Sequence, residues 1–251
     1  MIRRATTTLA AFAVLWLWLG ASAHGGVASD PQVWIAFTNS TNGRLRSCHC
    51  PNNPFGGLDR RAWALRQIRE RIAPAKLLLL DAGDLFPAQD EPELWPPLLQ
   101  AYHQLDYDAV CIGDQELSVG IANWLAVVGA HPEWGIPWLA AGYVPKTVRA
   151  QGLAAFPAAR VFELNGHKIG VVSVTCPGIY RFTAADNSPL TDVDIQPAAQ
   201  AIADFRALHR DLDVLIVLSH QGLDTDVELA KNQPGIDVIS GGHSQSLVTA
   251  P

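Results

Sequence analysis

The chain has 251 residues, a formal net charge of −6 and a pI near 5.7. Hydrophobic residues make up 49% and charged residues 17%, which excludes extended disorder. The acidic balance excludes a dedicated nucleic-acid binder, which needs a basic face. Four cysteines are too few for a disulfide scaffold, yet Cys48 and Cys50 sit one residue apart.

The predicted elements begin with a leader. Arg3 and Arg4 precede an apolar run from Ala10 to Leu19 and the small residues Ala21-Ser22-Ala23, the pattern of a secretory signal peptide. The run is too short for a comfortable membrane span, and an uncleaved anchor is the alternative. The pattern assigns residues 1–23 to a signal peptide and 24–251 to one domain. Removing Arg3 and Arg4 takes the formal charge from −6 to −8. The mature protein is expected in the periplasm or outside the cell, free of the membrane, where disulfides can persist.

Strands and helices then alternate. Val33 to Phe37 reads as a strand, and Leu58 to Ile72 as an amphipathic helix after Gly56-Gly57. Leu77 to Leu80 is a strand buried on both faces, by its unbroken apolar run. Glu93 to Leu105 reads as a helix with Pro96-Pro97 in its first turn or breaking it. Asp108 to Ile112 and Trp138 to Ala141 are strands, with a helix over 117–130 between them. Val161 to Leu164 and Ile169 to Val174 form a hairpin around Asn165-Gly166. A helix from Gln196 to Arg210 and strands at Val214 to Leu218 and Val238-Ile239, with a helix between them, complete the series. This order predicts an α/β fold with a mostly parallel sheet and one antiparallel hairpin.

Asp84, Asp114, His220 and His243 each fall just past the C-terminal end of a predicted strand. That edge is where open α/β sheets bind ligands. Each residue alone is an ordinary turn or loop residue, but four donors at one edge suggest a metal site. Carboxylates mixed with imidazoles suit Zn, Mn or Fe better than Ca or Mg.

The motifs that carry these residues are Leu80-Asp81-Ala82-Gly83-Asp84, Gly113-Asp114-Gln115-Glu116, Ser219-His220-Gln221-Gly222 and Pro234-Gly235-Ile236-Asp237-Val238-Ile239-Ser240-Gly241-Gly242-His243-Ser244-Gln245. In this order they resemble the periplasmic 5′-nucleotidase and UDP-sugar hydrolase family of the calcineurin-like metallophosphoesterases, from about Val33 to Gln245. The resemblance implies a four-layer α-β-β-α sandwich and a two-metal centre that hydrolyses a phosphate ester with a metal-bound hydroxide. It implies that Asp84 bridges the metals, and that Asp114, His220, His243 and Gln245 are ligands. A small phosphorylated substrate, a nucleotide in many members, comes with it.

Three positions depart from the family pattern. Its Asp-x-His after the first strand is replaced by Ser40 and Asn42, and the His of its Gly-Asn-His-Glu motif by Gln115. One metal site keeps Asp84, Asp114, His220 and His243, while the other is reduced to the shared Asp84 and Gln245. One good site and an impaired hydrolase are therefore expected.

Cys48, His49 and Cys50 lie in the loop of the lost ligands. They could be replacement metal ligands, a thiol redox pair, or partners of Cys111 and Cys176 in structural disulfides. The alternative functions are thus a thiol redox protein using Cys48 and Cys50, or a non-catalytic module binding metal or phosphate. Arg44, Arg46, Arg60 and Arg61 could clamp an anion, though Arg60, Arg61, Arg66 and Arg69 read better as a solvated helix face. Trp34, Trp63, Trp95, Trp124, Trp134 and Trp138 read as core. The family's separate substrate domain is not seen before Pro251, so a fragment, or a partner covering an unfinished sheet edge, is expected.

Overall fold

The structure is a computed structural model that describes residues 33–47, 56–89, 91–183, 188–246 and 248. Residues 1–23 and the Cys48-His49-Cys50 segment lie outside the described residues. Among the described residues, no helix is long and apolar enough to cross a membrane.

Two four-stranded sheets carry the fold. The first contains β1 (Trp34–Thr38), β2 (Leu77–Asp81), β3 (Ala109–Cys111) and β4 (Trp138–Leu139), in that order and all parallel. The second has the order β10 (Val238–Gly241), β9 (Val214–Ser219), β7 (His167–Val174), β6 (Ala159–Leu164), parallel except for the β6–β7 hairpin. Asn165 and Gly166, at φ 51° and 83°, make the turn that suits the twist of that hairpin.

The period of two along each strand sorts side chains into layers. Leu78 and Leu80 of β2 meet Ile169, Val171, Ile216 and Leu218 of the second sheet, forming the interior between the sheets. Leu79 points the other way, into a core with Leu65 of α1 (Leu58–Ile72), Leu98 and Leu99 of α2 (Trp95–Leu105), and Trp124. On the far side Val172, Leu215 and Val217 pack against Ile202 and Phe205 of a later helix. Burial on both faces explains why these strands are continuous apolar runs. The result is the expected four-layer α-β-β-α arrangement.

Local chemistry sets the boundaries. Pro96 and Pro97 sit in the first turn of α2, where a missing N–H leaves no helical bond unmade. The expected helix over 117–130 is instead two, α3 (Asp114–Leu117) and α4 (Ile121–Ala130), because Gly120 adopts φ 89° between them. A short antiparallel pair, β5 (Tyr143–Pro145) with β8 (Val193–Ile195), was not expected, since three residues show no periodicity. Helix α5 (Ala198–Leu208) starts after Pro197, and α6 (Leu223–Asn232) joins β9 to β10.

Two readings need correction. Trp95, Trp124 and Trp138 are core, but Trp34 and Trp63 are 42% and 63% exposed. Arg61 is not on a solvated face. It donates to the hydroxyls of Tyr102 (3.1 Å) and Tyr107 (3.0 Å) and lies 3.6 Å from the buried Asp81. Arg60 and Arg66 are exposed as expected, and Arg69 caps α2 through the Leu105 carbonyl. Cys111 and Cys176 are free thiols, so no disulfide joins them.

Candidate metal centre

Four strand ends converge on one point. Past β2 the chain turns through Gly83 (φ 95°) and Asp84 (φ 62°). Only glycine fits at 83, because a Cβ there would lie 2.8 Å from His220 Nδ1 and 2.9 Å from Gly113 N. Past β3 comes Gly113, whose missing Cβ leaves room for Asp84 Oδ1, which would otherwise be 2.5 Å away. His220 follows β9 and is fully buried; His243 follows β10, with φ 66°.

A buried carboxylate fixes the first two ends to each other. Glu116 Oε2 accepts from the backbone N–H of Gly113 (2.6 Å) and Asp84 (3.0 Å), and Oε1 from Leu85 (2.6 Å) and Phe86 (3.3 Å). Burial, with the nearby Asp84 charge, pushes the Glu116 carboxyl up to about 7 against the pull of these bonds.

His220 Nδ1–H donates to the Ala82 carbonyl, which leaves Nε2 facing Asp84 Oδ1 (3.1 Å) and Asp114 Oδ1 (3.0 Å). His243 Nδ1 lies 2.8 Å from Asp114 Oδ1. One ligand atom from each of Asp84, Asp114, His220 and His243 falls within 4.8 Å of the others. Burial works against the His220 imidazolium, but the Asp84 carboxylate and the bonds to Asp84 and Asp114 outweigh it and raise its pKa well above the ordinary range. Burial likewise opposes the Asp114 anion, yet hydrogen bonds from His220 and His243 hold it well below the usual carboxylate range. Two carboxylates and two imidazoles, half of them fully buried, form a donor set that a divalent transition metal fits.

The remaining expected residues are distributed around this cluster. Gln115 Nε2 donates to Asn42 Oδ1 (2.9 Å) and Asp84 Oδ2 (3.2 Å). Gln245 is exposed, two residues beyond His243 at φ 51°, and no hydrogen bond joins it to the cluster among the described residues. Cys48 and Cys50 lie outside the described residues. A cleft of about 400 Å³ opens beside His243, lined in part by Cys176, Arg181, Gln221, Thr225 and Ser244.

Sequence reasoning quoted Glu116 and Asp81 within motifs but gave neither a role. Asp81 closes β2 and Glu116 lies on α3 just past β3. Both are fully buried acids, and an acid in the segment after an apolar strand was the available signal. Asp226 was missed altogether. It is buried on α6 and accepts the Ser219 hydroxyl, bracing the end of β9 beneath His220.

No family model matches the chain. It is 28% identical over 246 residues to a 5′-nucleotidase of Diplobatis ommata, covering 89% of this chain and 39% of that protein. Among solved structures it matches a 5′-nucleotidase precursor from Thermus thermophilus at TM-score 0.68 and 24% identity, over 87% of this chain and 43% of that one. A calcineurin-like phosphoesterase from Bacillus subtilis matches at TM-score 0.64 and 20% identity, over 87% and 74%. The fold is that of the calcineurin-like phosphoesterases. On this phosphoesterase fold the four-residue cluster occupies the C-terminal edge of both sheets, and 5′-nucleotidases are homologues over most of the chain. The chain spans about two fifths of the length of the curated relatives it matches.

Proposed function

We propose that this protein is an exported, metal-dependent phosphoric ester hydrolase of 5′-nucleotidase type, acting on a small phosphorylated substrate such as a nucleotide. The observation that carries the reading is the convergence of Asp84, Asp114, His220 and His243 within 4.8 Å at the strand ends. Homology to 5′-nucleotidases supports the reaction class, and the Arg3 to Ala23 pattern supports export.

These four residues would hold Zn, Mn or Fe, which when bound supplies Lewis-acid polarisation of a phosphoryl oxygen and a water activated for attack. The chain's own groups do the rest. The Ala82 carbonyl fixes His220 in the tautomer that offers Nε2 to the ion. Glu116 holds the Asp84 and Asp114 loops in register through backbone N–H groups. Gln115 replaces the family's His, and its amide can donate a hydrogen bond but transfers no proton. A slower hydrolase than its relatives is therefore proposed. The cleft beside His243 would receive part of the substrate.

The thiol redox alternative rests on Cys48 and Cys50 and gains nothing from Cys111, which is buried between the sheets with its thiol pushed up by desolvation. The test is turnover of p-nitrophenyl phosphate and of a nucleoside monophosphate by the purified, Mn- or Zn-loaded chain. Turnover stops on chelation and falls at least ~100-fold in H220A and in H243A. Absence of metal-dependent turnover, or turnover indifferent to both substitutions, refutes the reading.

A further inference from the structure

The described segment that follows β1, residues 39–43, carries no charged side chain. Three backbone bonds lace the chain after β1 to the chain after β2: Ser40 N–H to the Gly83 carbonyl (2.8 Å), Asn42 N–H to that of Asp84 (2.9 Å), and Gly43 N–H to that of Leu85 (2.9 Å). Asn39 Nδ2 adds a tie to the Gly241 carbonyl (3.0 Å). The positions of Ser40 and Asn42 against Asp84 are thus fixed by the backbone.

The two oxygens of Asp84 face different partners. Oδ1 lies 3.1 Å from His220 Nε2, inside the four-residue cluster, and also accepts the Gln115 backbone N–H at 3.2 Å. Oδ2 accepts the Gln115 side-chain amide, which donates at the same time to Asn42 Oδ1. The Asp84 charge sets the orientation of that amide, because the flipped form would place Gln115 Oε1 against a carboxylate oxygen.

We propose that the Gln115 amide takes the place of a second cation, so that the centre holds a single transition-metal ion per chain. This inference rests on the metal site proposed above. An NH₂ group presents two partial positive hydrogens to two oxygens, as a cation between them would. A cation entering there must displace a charge-assisted hydrogen bond to Asp84 and a second bond to Asn42. In return it finds no charged side chain on the described segment 39–43 that follows β1. Ser40 Oγ and Gln115 Oε1 are both buried without a hydrogen-bond partner, and Asn42 Oδ1 is a carbonyl. Transition metals are held by imidazole, thiolate and carboxylate, and one carboxylate oxygen is too little. Among the described residues the position is therefore closed twice, by the lack of ligands and by an amide that occupies what remains.

The experiment is a Mn(II) titration of the purified full chain, read by elemental analysis and electron paramagnetic resonance. One Mn per chain with an uncoupled six-line spectrum is expected. Two ions with spin coupling overturn this inference and leave the proposed function standing, whereas no bound ion overturns both. Two variants separate the amide from the missing ligands. S40D/N42H/Q115A, which returns a carboxylate and an imidazole and removes the amide, is expected to gain a second equivalent. S40D/N42H with Gln115 retained is expected to bind that second ion at least ~10-fold more weakly. Equal affinity in the two variants overturns the role of the amide. Should either fail to fold, two ions in the wild-type chain still overturn the inference.

Discussion

Gly83→Ala and Gly120→Ala share one perturbation and differ in a second, which isolates the packing that places His220. Both glycines have a positive φ, 95° and 89°, that L side chains rarely adopt, so each alanine carries a backbone penalty of ~1–2 kcal/mol. At Gly120 the added methyl meets no heavy atom within 4 Å. At Gly83 it comes within 2.8 Å of His220 Nδ1, 2.9 Å of Gly113 N and 3.0 Å of Gly113 Cα. None of these is the loose end of a flexible side chain. One belongs to a fully buried ring, the others to backbone held by Glu116. Relief must come by moving that ring or that backbone, at a further cost of ~1–3 kcal/mol. The expected losses are therefore ~1–2 kcal/mol for G120A and ~2–5 kcal/mol for G83A. Urea unfolding followed through the buried Trp124 and Trp138 measures both. Because the displaced atom is the nitrogen bonded to Ala82, G83A should also weaken Mn(II) binding at least ~10-fold in calorimetry, with G120A unchanged. Equal losses of stability and equal metal affinities in the two variants would refute the reasoning.

Glu116→Ala removes the acceptor of four backbone N–H groups at once, at Gly113, Asp84, Leu85 and Phe86. With ~1–3 kcal/mol for each buried donor left bare, and water refilling part of the space, a loss of at least ~3 kcal/mol is expected. A thermal midpoint within 2–3 °C of wild type, against an expected fall of at least ~6 °C, would count against it. Tyr102→Phe deletes a hydroxyl that donates to Asp81 Oδ2 (2.9 Å), meets Thr41 (2.6 Å) and accepts from Arg61 (3.1 Å). It should cost ~1.5–3 kcal/mol in chemical unfolding, and an unshifted urea midpoint would show that Arg61, Thr38 and the Gly83 N–H satisfy Asp81 without it.

How much of this could be read from the chain differs by element for physical reasons. Leu77 to Leu80 and the Asp84 turn were legible, because a strand buried on both faces must be apolar and must then end in a polar turn. The same logic placed Asp114, His220 and His243, and the structure brings all four together. The break at Gly120 was not legible, since one glycine in an otherwise helical stretch is tolerated until its φ is known. Arg61 was misread because helical periodicity ranks it with Arg60, Arg66 and Arg69. Its distinction is the buried Asp81 opposite, reached through tertiary packing that no local pattern encodes. Gln115 was read as a lost catalytic group, and only the geometry shows what its amide does instead.

The four candidate ligands are divided evenly between the sheets, Asp84 and Asp114 after β2 and β3, His220 and His243 after β9 and β10. An ion held by all four therefore joins two layers that otherwise meet through the apolar interior of Leu78, Leu80, Ile216 and Leu218. The four strands do not start equal. Among the described residues, β2, β3 and β9 each have a strand on both sides, whereas β10 pairs with β9 alone. Val238 is 38% exposed, so few buried contacts hold the start of β10. Local opening of β10 should then lie well below global unfolding in free energy, and His243 is lost from the cluster whenever it opens. An ion at 100 times its dissociation constant stabilises the closed form by ~2.7 kcal/mol, slowing exchange from the open form ~100-fold. Hydrogen exchange of the metal-free and Mn-loaded protein should accordingly show a gain in protection of up to ~100-fold at the amides of Val238 to Gly241. The β2 and β9 amides, which exchange through global unfolding that also releases the ion, gain no more than this. A gain confined to β2, or none at β10, would mean that His243 contributes little to holding the ion.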